Sequence, residues 1–150
     1  MRDEVDKDEG GGVRDESEKD PSFPVSIPAE GKPRQDLRNR LKVYALRVLK
    51  LYDALPKRGA VHIITHQLAR SGTSPLAHYR EACRAKSNAD FISKIEGGLQ
   101  ELDESDGWLE LLVDGKYVPA KKLESLRAET NELISIFVTM VVNTKKRGKR

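Results

Sequence analysis

Leu37, Leu41, Tyr44, Val48, Leu51 and Leu55 recur at spacings of four, three, four, three and four, and this lane constrains the chain more than any other feature. At 3.6 residues per turn it is one stripe of a helix, and a stripe of that kind must be buried against something. Asp36 is placed to cap its start. Pro56 ends it, because a proline ring disfavours helical geometry at the residue before it, and Gly59 completes the turn. The same period returns in three later segments.

From about Ala60 to Lys86 the inward lane runs through Ile64, Gln67, Ser71, Ser74, His78, Ala82 and Ala85, a mixture of apolar, small and polar groups. Pro75 removes a backbone donor inside this segment and clashes with the preceding turn, so a kink or a break is expected between Gly72 and Pro75. One helix and two half-helices are both open outcomes. Ser87-Asn88-Ala89-Asp90 reads as a capping box and opens a third lane of Ile92, Ile95, Leu99, Leu102 and Leu109, with Trp108, Leu111 and Leu112 beside it. Gly97, Gly98 and Gly107 each cost a helix interior about 1 kcal/mol relative to alanine, which points to close backbone contact or a local distortion. Pro119 suits a first helical turn, and Leu123, Leu126, Thr130, Leu133, Phe137 and Met140 follow at steps of three and four. The β-branched run Leu133 to Val138 resembles a strand in isolation, but the continuity of the lane favours helix.

Four such segments joined by short turns predict an all-α fold, an antiparallel up-down-up-down four-helix bundle over residues 35–144. Residues 1–34 are of another kind. They hold ten acidic and six basic residues, a triple glycine and four prolines, with almost no apolar periodicity, and read as a disordered acidic arm. The rest of the chain carries a net charge of +7, of which +5 lies in a basic tail, residues 145–150. A single cysteine, Cys83, leaves no internal disulfide and fits a cytoplasmic setting. The longest apolar stretch, Leu133 to Val142, is half of the roughly 20 residues that span a bilayer, and no apolar run of signal-peptide type opens the chain. No membrane partner is expected.

Asp36-Leu37-Arg38, Tyr44-Ala45-Leu46-Arg47-Val48, Gln67-Leu68-Ala69-Arg70-Ser71-Gly72-Thr73-Ser74, Tyr79-Arg80-Glu81-Ala82, Asn88-Ala89-Asp90-Phe91-Ile92-Ser93-Lys94 and Trp108-Leu109-Glu110-Leu111-Leu112 resemble blocks of the bacterial four helix bundle protein family, which includes the 23S rRNA intervening-sequence proteins. The resemblance spans about residues 36–144. It implies the same bundle and, from related proteins, assembly into pentameric barrels. The best-understood relatives, accessory proteins of diversity-generating retroelements, look like basic rings that partner a reverse transcriptase and its nucleic acid. The chain departs from the family at Pro75-Leu76-Ala77-His78, where the usual reading is Val-Gly-Ala-Asn, and at Gly107, where an aromatic is common.

Enzymatic constellations are weak. His62 and His66 have the four-residue spacing that lets two imidazoles share a metal, but no third ligand stands at a diagnostic distance, and no metal or cofactor is expected. Cys83 lies on the apolar lane as a small hydrophobe. Neither a phosphate-cradling glycine loop nor a nucleophile elbow occurs, so the chain is expected not to be an enzyme. Arg70, Glu81, Glu101 and Glu104 are expected to form interhelical or inter-subunit ion pairs, with a lined channel or anion site as the alternative. Arg80, Arg84 and Lys86, with Lys145, Lys146, Arg147, Lys149 and Arg150, form a candidate nucleic-acid-binding set, RNA or DNA, because phosphate contacts by Lys and Arg supply most non-specific affinity. Val43, Leu46 and Leu49 project away from the first lane, and Ile134, Ile136, Val138 and Val141 spread beyond the fourth. A monomer rarely leaves such faces bare, so a homo-oligomer is expected, with five subunits implied by the resemblance. The resulting expectation is a scaffold for nucleic acid or a nucleic-acid enzyme, the alternative being a protein-interaction module with no nucleic-acid role.

Overall fold

A computed structural model describes residues 33–149, and these form four helices with no strand among them. They are α1 (Pro33–Ala54), α2 (Gly59–Ala82), α3 (Asn88–Asp114) and α4 (Ala120–Gly148). The arm predicted for residues 1–34 lies outside the described residues except for its last two positions, as does Arg150. Consecutive helices pack side by side as an up-down-up-down bundle, while the backbones of α1 and α4 stay mostly apart. No described helix is long and apolar enough to cross a membrane.

The leucine-rich lanes bury as their spacing requires. Leu37, Leu41, Tyr44 and Val48 of α1, Ile95, Leu102, Leu109 and Leu112 of α3, and Leu123, Leu126, Leu133, Phe137 and Val141 of α4 make one continuous core. The lane read for α2 is rotated, since its buried face is Val61, Thr65, Leu68, Ser71, Gly72, Pro75, Tyr79 and Ala82. The cause is its position between two neighbours. One flank of α2 meets α1 through Gly72 against Val48, and the other meets α3 through His78 against Gly97. The polar side chains on the buried face bond to their own helix, as Thr65 Oγ1 donates to the His62 carbonyl at 3.3 Å and Ser71 Oγ to that of Leu68 at 3.4 Å.

Three local expectations change. α2 runs unbroken through Pro75, so the break allowed between Gly72 and Pro75 does not occur. α1 begins at Pro33, which puts Asp36 in the first turn beside the helix's positive end and not at the cap. α4 continues through Gly148, and Lys145, Lys146 and Arg147 form its last turn, where cations oppose the helix dipole's negative end. The start of α3 follows its motif. Ser87 Oγ accepts from the Asp90 amide at 3.0 Å, and the Asp90 carboxylate accepts from the Lys86 amide at 3.3 Å. Gly59 has a φ of +74°, a left-handed conformation that disfavours any side chain there.

Candidate functional site

With α2 and α4 running one way and α3 the other, the end of α2, the turn 83–87, the start of α3 and the end of α4 meet at one end of the bundle. Lys145 Nζ stands 3.8 Å from Glu96 Oε2, and Gly148 lies against Asn88. Arg80, Arg84, Lys86, Lys145, Lys146, Arg147 and Lys149 are all exposed there. Lys145 alone among them makes an ion pair with another helix, and that pair is more than half exposed on both sides, so it is weak and screened by salt. Arg147 donates to Thr144 Oγ1 at 3.2 Å. Glu81 sits among these cations, exposed and with no ion pair to another described residue. Asp90 is engaged with Lys94 at 3.7 Å and with the Lys86 amide.

The ion pairs expected of Arg70 are formed within the chain. Its guanidinium spans α2 to α3, 3.2 Å from Glu101 Oε1 and in contact with Glu104. Slight burial pulls the Arg70 pKa down, but the two carboxylates outweigh it and hold it above its ordinary value.

A second polar cluster escaped the sequence reading because its members stand about 80 to 90 residues apart. Arg40 on α1 forms a two-pronged pair with Glu129 on α4, at 2.7 and 3.1 Å, with Glu129 only 4% exposed. Next to it the Tyr44 hydroxyl and Thr130 Oγ1 are 2.7 Å apart, and Arg47 Nη2 donates to Ser125 Oγ at 2.8 Å. Burial pushes the Tyr44 phenol up to about 12, against smaller opposing effects of its bonds to Thr130 and Ser105. Burial likewise lowers the Arg47 pKa, partly countered by the Glu129 carboxylate. This cluster crosses the α1–α4 seam, and within it Arg47 Nη1 is buried without a hydrogen-bond partner.

The histidines stay apart from any such cluster. His62 meets the Tyr52 hydroxyl at 3.2 Å and stacks edge-on with His66, and no group of three or more His, Cys, Asp or Glu among the described residues converges as a metal site. His78 fills the space left by Gly97, whose missing Cβ would stand 2.7 Å from the imidazole. Gly107 has open space instead, so its presence owes nothing to close contact.

Of the side chains expected at an oligomer contact, Leu46, Leu49 and Val138 are 50, 40 and 41% exposed. Val43 is half-buried. Ile134 and Ile136 are partly buried against the chain's own core and Val141 is buried, so their part in an outer face is reduced. Val142, Ile63, Leu111 and Tyr117 add exposed apolar surface that the lanes did not single out.

Residues 35–139 match the family model described as 23S rRNA-intervening sequence protein. The chain belongs to that family. A solved structure agrees, a protein of unknown function from the S23 ribosomal protein family of Bacteroides thetaiotaomicron VPI-5482. It is 32% identical to this chain, with a TM-score of 0.64, over 69% of this chain and 96% of that one. No curated protein matches. The matched region contains the bundle to about two-thirds of the way along α4 and leaves out the acidic arm and the basic last turns.

Proposed function

We propose that this protein is a non-enzymatic, homo-oligomeric scaffold whose basic end holds nucleic-acid phosphates. The observation that carries the reading is the convergence of Arg80, Arg84 and Lys86 with Lys145, Lys146, Arg147 and Lys149 at one end, all exposed and nearly free of internal partners. Neutralising several phosphates releases their counterions, which gives affinity without sequence preference. The family's name, which ties its members to an intervening sequence of 23S rRNA, supports a nucleic acid as the ligand. Gathering several copies would multiply the weak binding of each end.

The test is equilibrium binding of labelled single-stranded RNA and DNA as salt is raised. Binding should be measurable at about 50 mM salt, fall steeply above it, and lose part of that slope when Lys145, Lys146, Arg147 and Lys149 are replaced by glutamine. No binding of either nucleic acid overturns the reading. Exposed Leu46, Leu49, Val138 and Val142 support the second reading, a protein-interaction module with no nucleic-acid role. Light scattering separates assembly from its absence, because a mass of 16.8 kDa at micromolar concentration means a monomer.

A further inference from the structure

The basic end has an anionic candidate in its own chain. Nine of the first 20 residues are acidic, Asp3, Glu4, Asp6, Asp8, Glu9, Asp15, Glu16, Glu18 and Asp20, against four basic ones. They lie outside the described residues, but the point where they join the bundle is known, since α1 starts at Pro33. α1 runs antiparallel to α4, so its start faces the same end of the bundle as the last turns of α4.

The reach can be measured along the helices. The Arg40–Glu129 pair puts those two residues at one level. From Arg40 back to Pro33 is seven residues and from Glu129 on to Gly148 is nineteen, so at ~1.5 Å per residue α4 ends about 18 Å beyond the start of α1. Residues 21–32 are the tether between the acidic stretch and α1. At ~3.1 Å per residue its twelve residues span up to about 37 Å, twice the distance required. A tether of this length keeps the acidic stretch at an effective concentration near millimolar beside Arg80, Arg84, Lys86, Lys145, Lys146, Arg147 and Lys149.

From this complementarity of charge, direction and length, we propose that the acidic segment 1–20 docks on the basic end of the bundle and competes there with phosphate polyanions. The segment acts as an internal counter-ligand. A polyanion must displace it, which raises the charge density that a ligand needs in order to bind. The competition rests on the proposed function above, whereas the docking itself does not.

The experiment uses the full chain and a full-chain variant in which the nine acidic residues of 1–20 are replaced by their amides. Amine acetylation is followed residue by residue by mass spectrometry at about 20 mM salt. Lys86, Lys145, Lys146 and Lys149 should react several-fold more slowly in the native chain than in the variant, with Lys57, Lys116 and Lys122 at the far end unchanged. The difference should vanish at about 500 mM salt. Equal rates at low salt overturn the docking, and so does protection that persists in the variant but disappears on dilution, which would assign the cover to a second copy. Heparin then serves as a polyanion that contains no nucleic acid, and the variant should bind it about three- to tenfold more tightly at 50 mM salt. Protection without any gain in heparin affinity overturns the competition. Protection with tighter heparin binding but no binding of RNA or DNA upholds the inference and overturns the nucleic-acid reading alone.

Discussion

Two seams of this bundle solve the same packing problem by opposite means. Between α2 and α3 the contact is made by small residues. The Ser71 and Ser105 hydroxyls meet at 2.8 Å, His78 fits into the notch at Gly97, and a Cβ at Gly98 would lie 3.2 Å from His78 Cβ, with the Phe137 ring of α4 closing its other side at 2.6 Å. Between α1 and α4 the backbones stand apart, and the gap is crossed by Arg40 to Glu129, Tyr44 to Thr130 and Arg47 to Ser125. A tight seam holds by shape and fails when volume is added. A wide seam holds by hydrogen bonds between long side chains and fails when one partner is left alone.

The wide seam should break first and hardest. Replacing Glu129 by alanine strands the Arg40 guanidinium, which is only 16% exposed. Removing one partner of a buried pair costs about 3–5 kcal/mol, and the partial access of Arg40 to water puts the loss at about 3 kcal/mol. At roughly 4 °C per kcal/mol this lowers the melting temperature by about 12 °C, read by circular dichroism. Replacing Arg40 and Glu129 together by leucine should recover most of the loss. Failure to recover would mean that the seam needs the charges and not merely their mutual satisfaction.

The same seam carries a pH dependence at Tyr44. The folded protein holds the phenol at about 12, above the ordinary 10, so between these values the native state binds the proton that the unfolded chain has released. Stability is therefore full below pH 10 and falls as pH rises toward 12, by up to about 2–3 kcal/mol from this group. Tyr44→Phe gives up the bond to Thr130, at about 1 kcal/mol, but should show a shallower alkaline loss than the native chain in urea titrations at pH 9, 10 and 11. Parallel curves for the two proteins would sink this assignment.

On the tight side, Gly98→Val drives a branched side chain against His78 of α2 and into the fully buried Phe137 of α4, and should cost about 2 kcal/mol. Gly107→Ala is its control on the same helix. Nothing lies within 4 Å of the added carbon, so the variant should gain up to ~1 kcal/mol from helix propensity alone. Thermal melts of the two variants should move in opposite directions, and a loss at both would mean that α3 itself, not the seam, requires glycine.

This contrast also explains what could be read before the fold was known. Leu41, Leu102 and Leu133 announce their helices because a large apolar side chain at a repeating step has one destination. The lane expected for α2 shares Ser71 and Ala82 with the buried face but misses Thr65, Gly72 and Pro75, which bury with little hydrophobic bulk in a helix flanked on both sides. Arg40 and Glu129 look like ordinary charges on solvated helix faces, and only the approach of α1 to α4, 89 residues later, makes them a pair. The basic end stands between these cases. Each of its cations was visible in sequence, but that α2, the turn 83–87 and α4 deliver them to one place follows only from the directions of the helices.

The smallest effect belongs to Arg70, the one long ionic contact on the tight seam. Its guanidinium, Glu101 and Glu104 are 47, 21 and 49% exposed, so water and salt already screen the contact. Arg70→Ala should cost no more than about 0.2–1 kcal/mol at low salt, and the difference from the native chain should shrink toward zero at about 500 mM salt. Arg70→Lys should behave almost like alanine, because one ammonium cannot reproduce the fork that touches two carboxylates a turn apart. Light scattering adds a separate readout. The guanidinium is satisfied by its own chain, so the mass of any assembly should be the same with and without it. A change of mass in Arg70→Ala would show that the pair acts between subunits, and the tight seam would then have to be regarded as part of an interface.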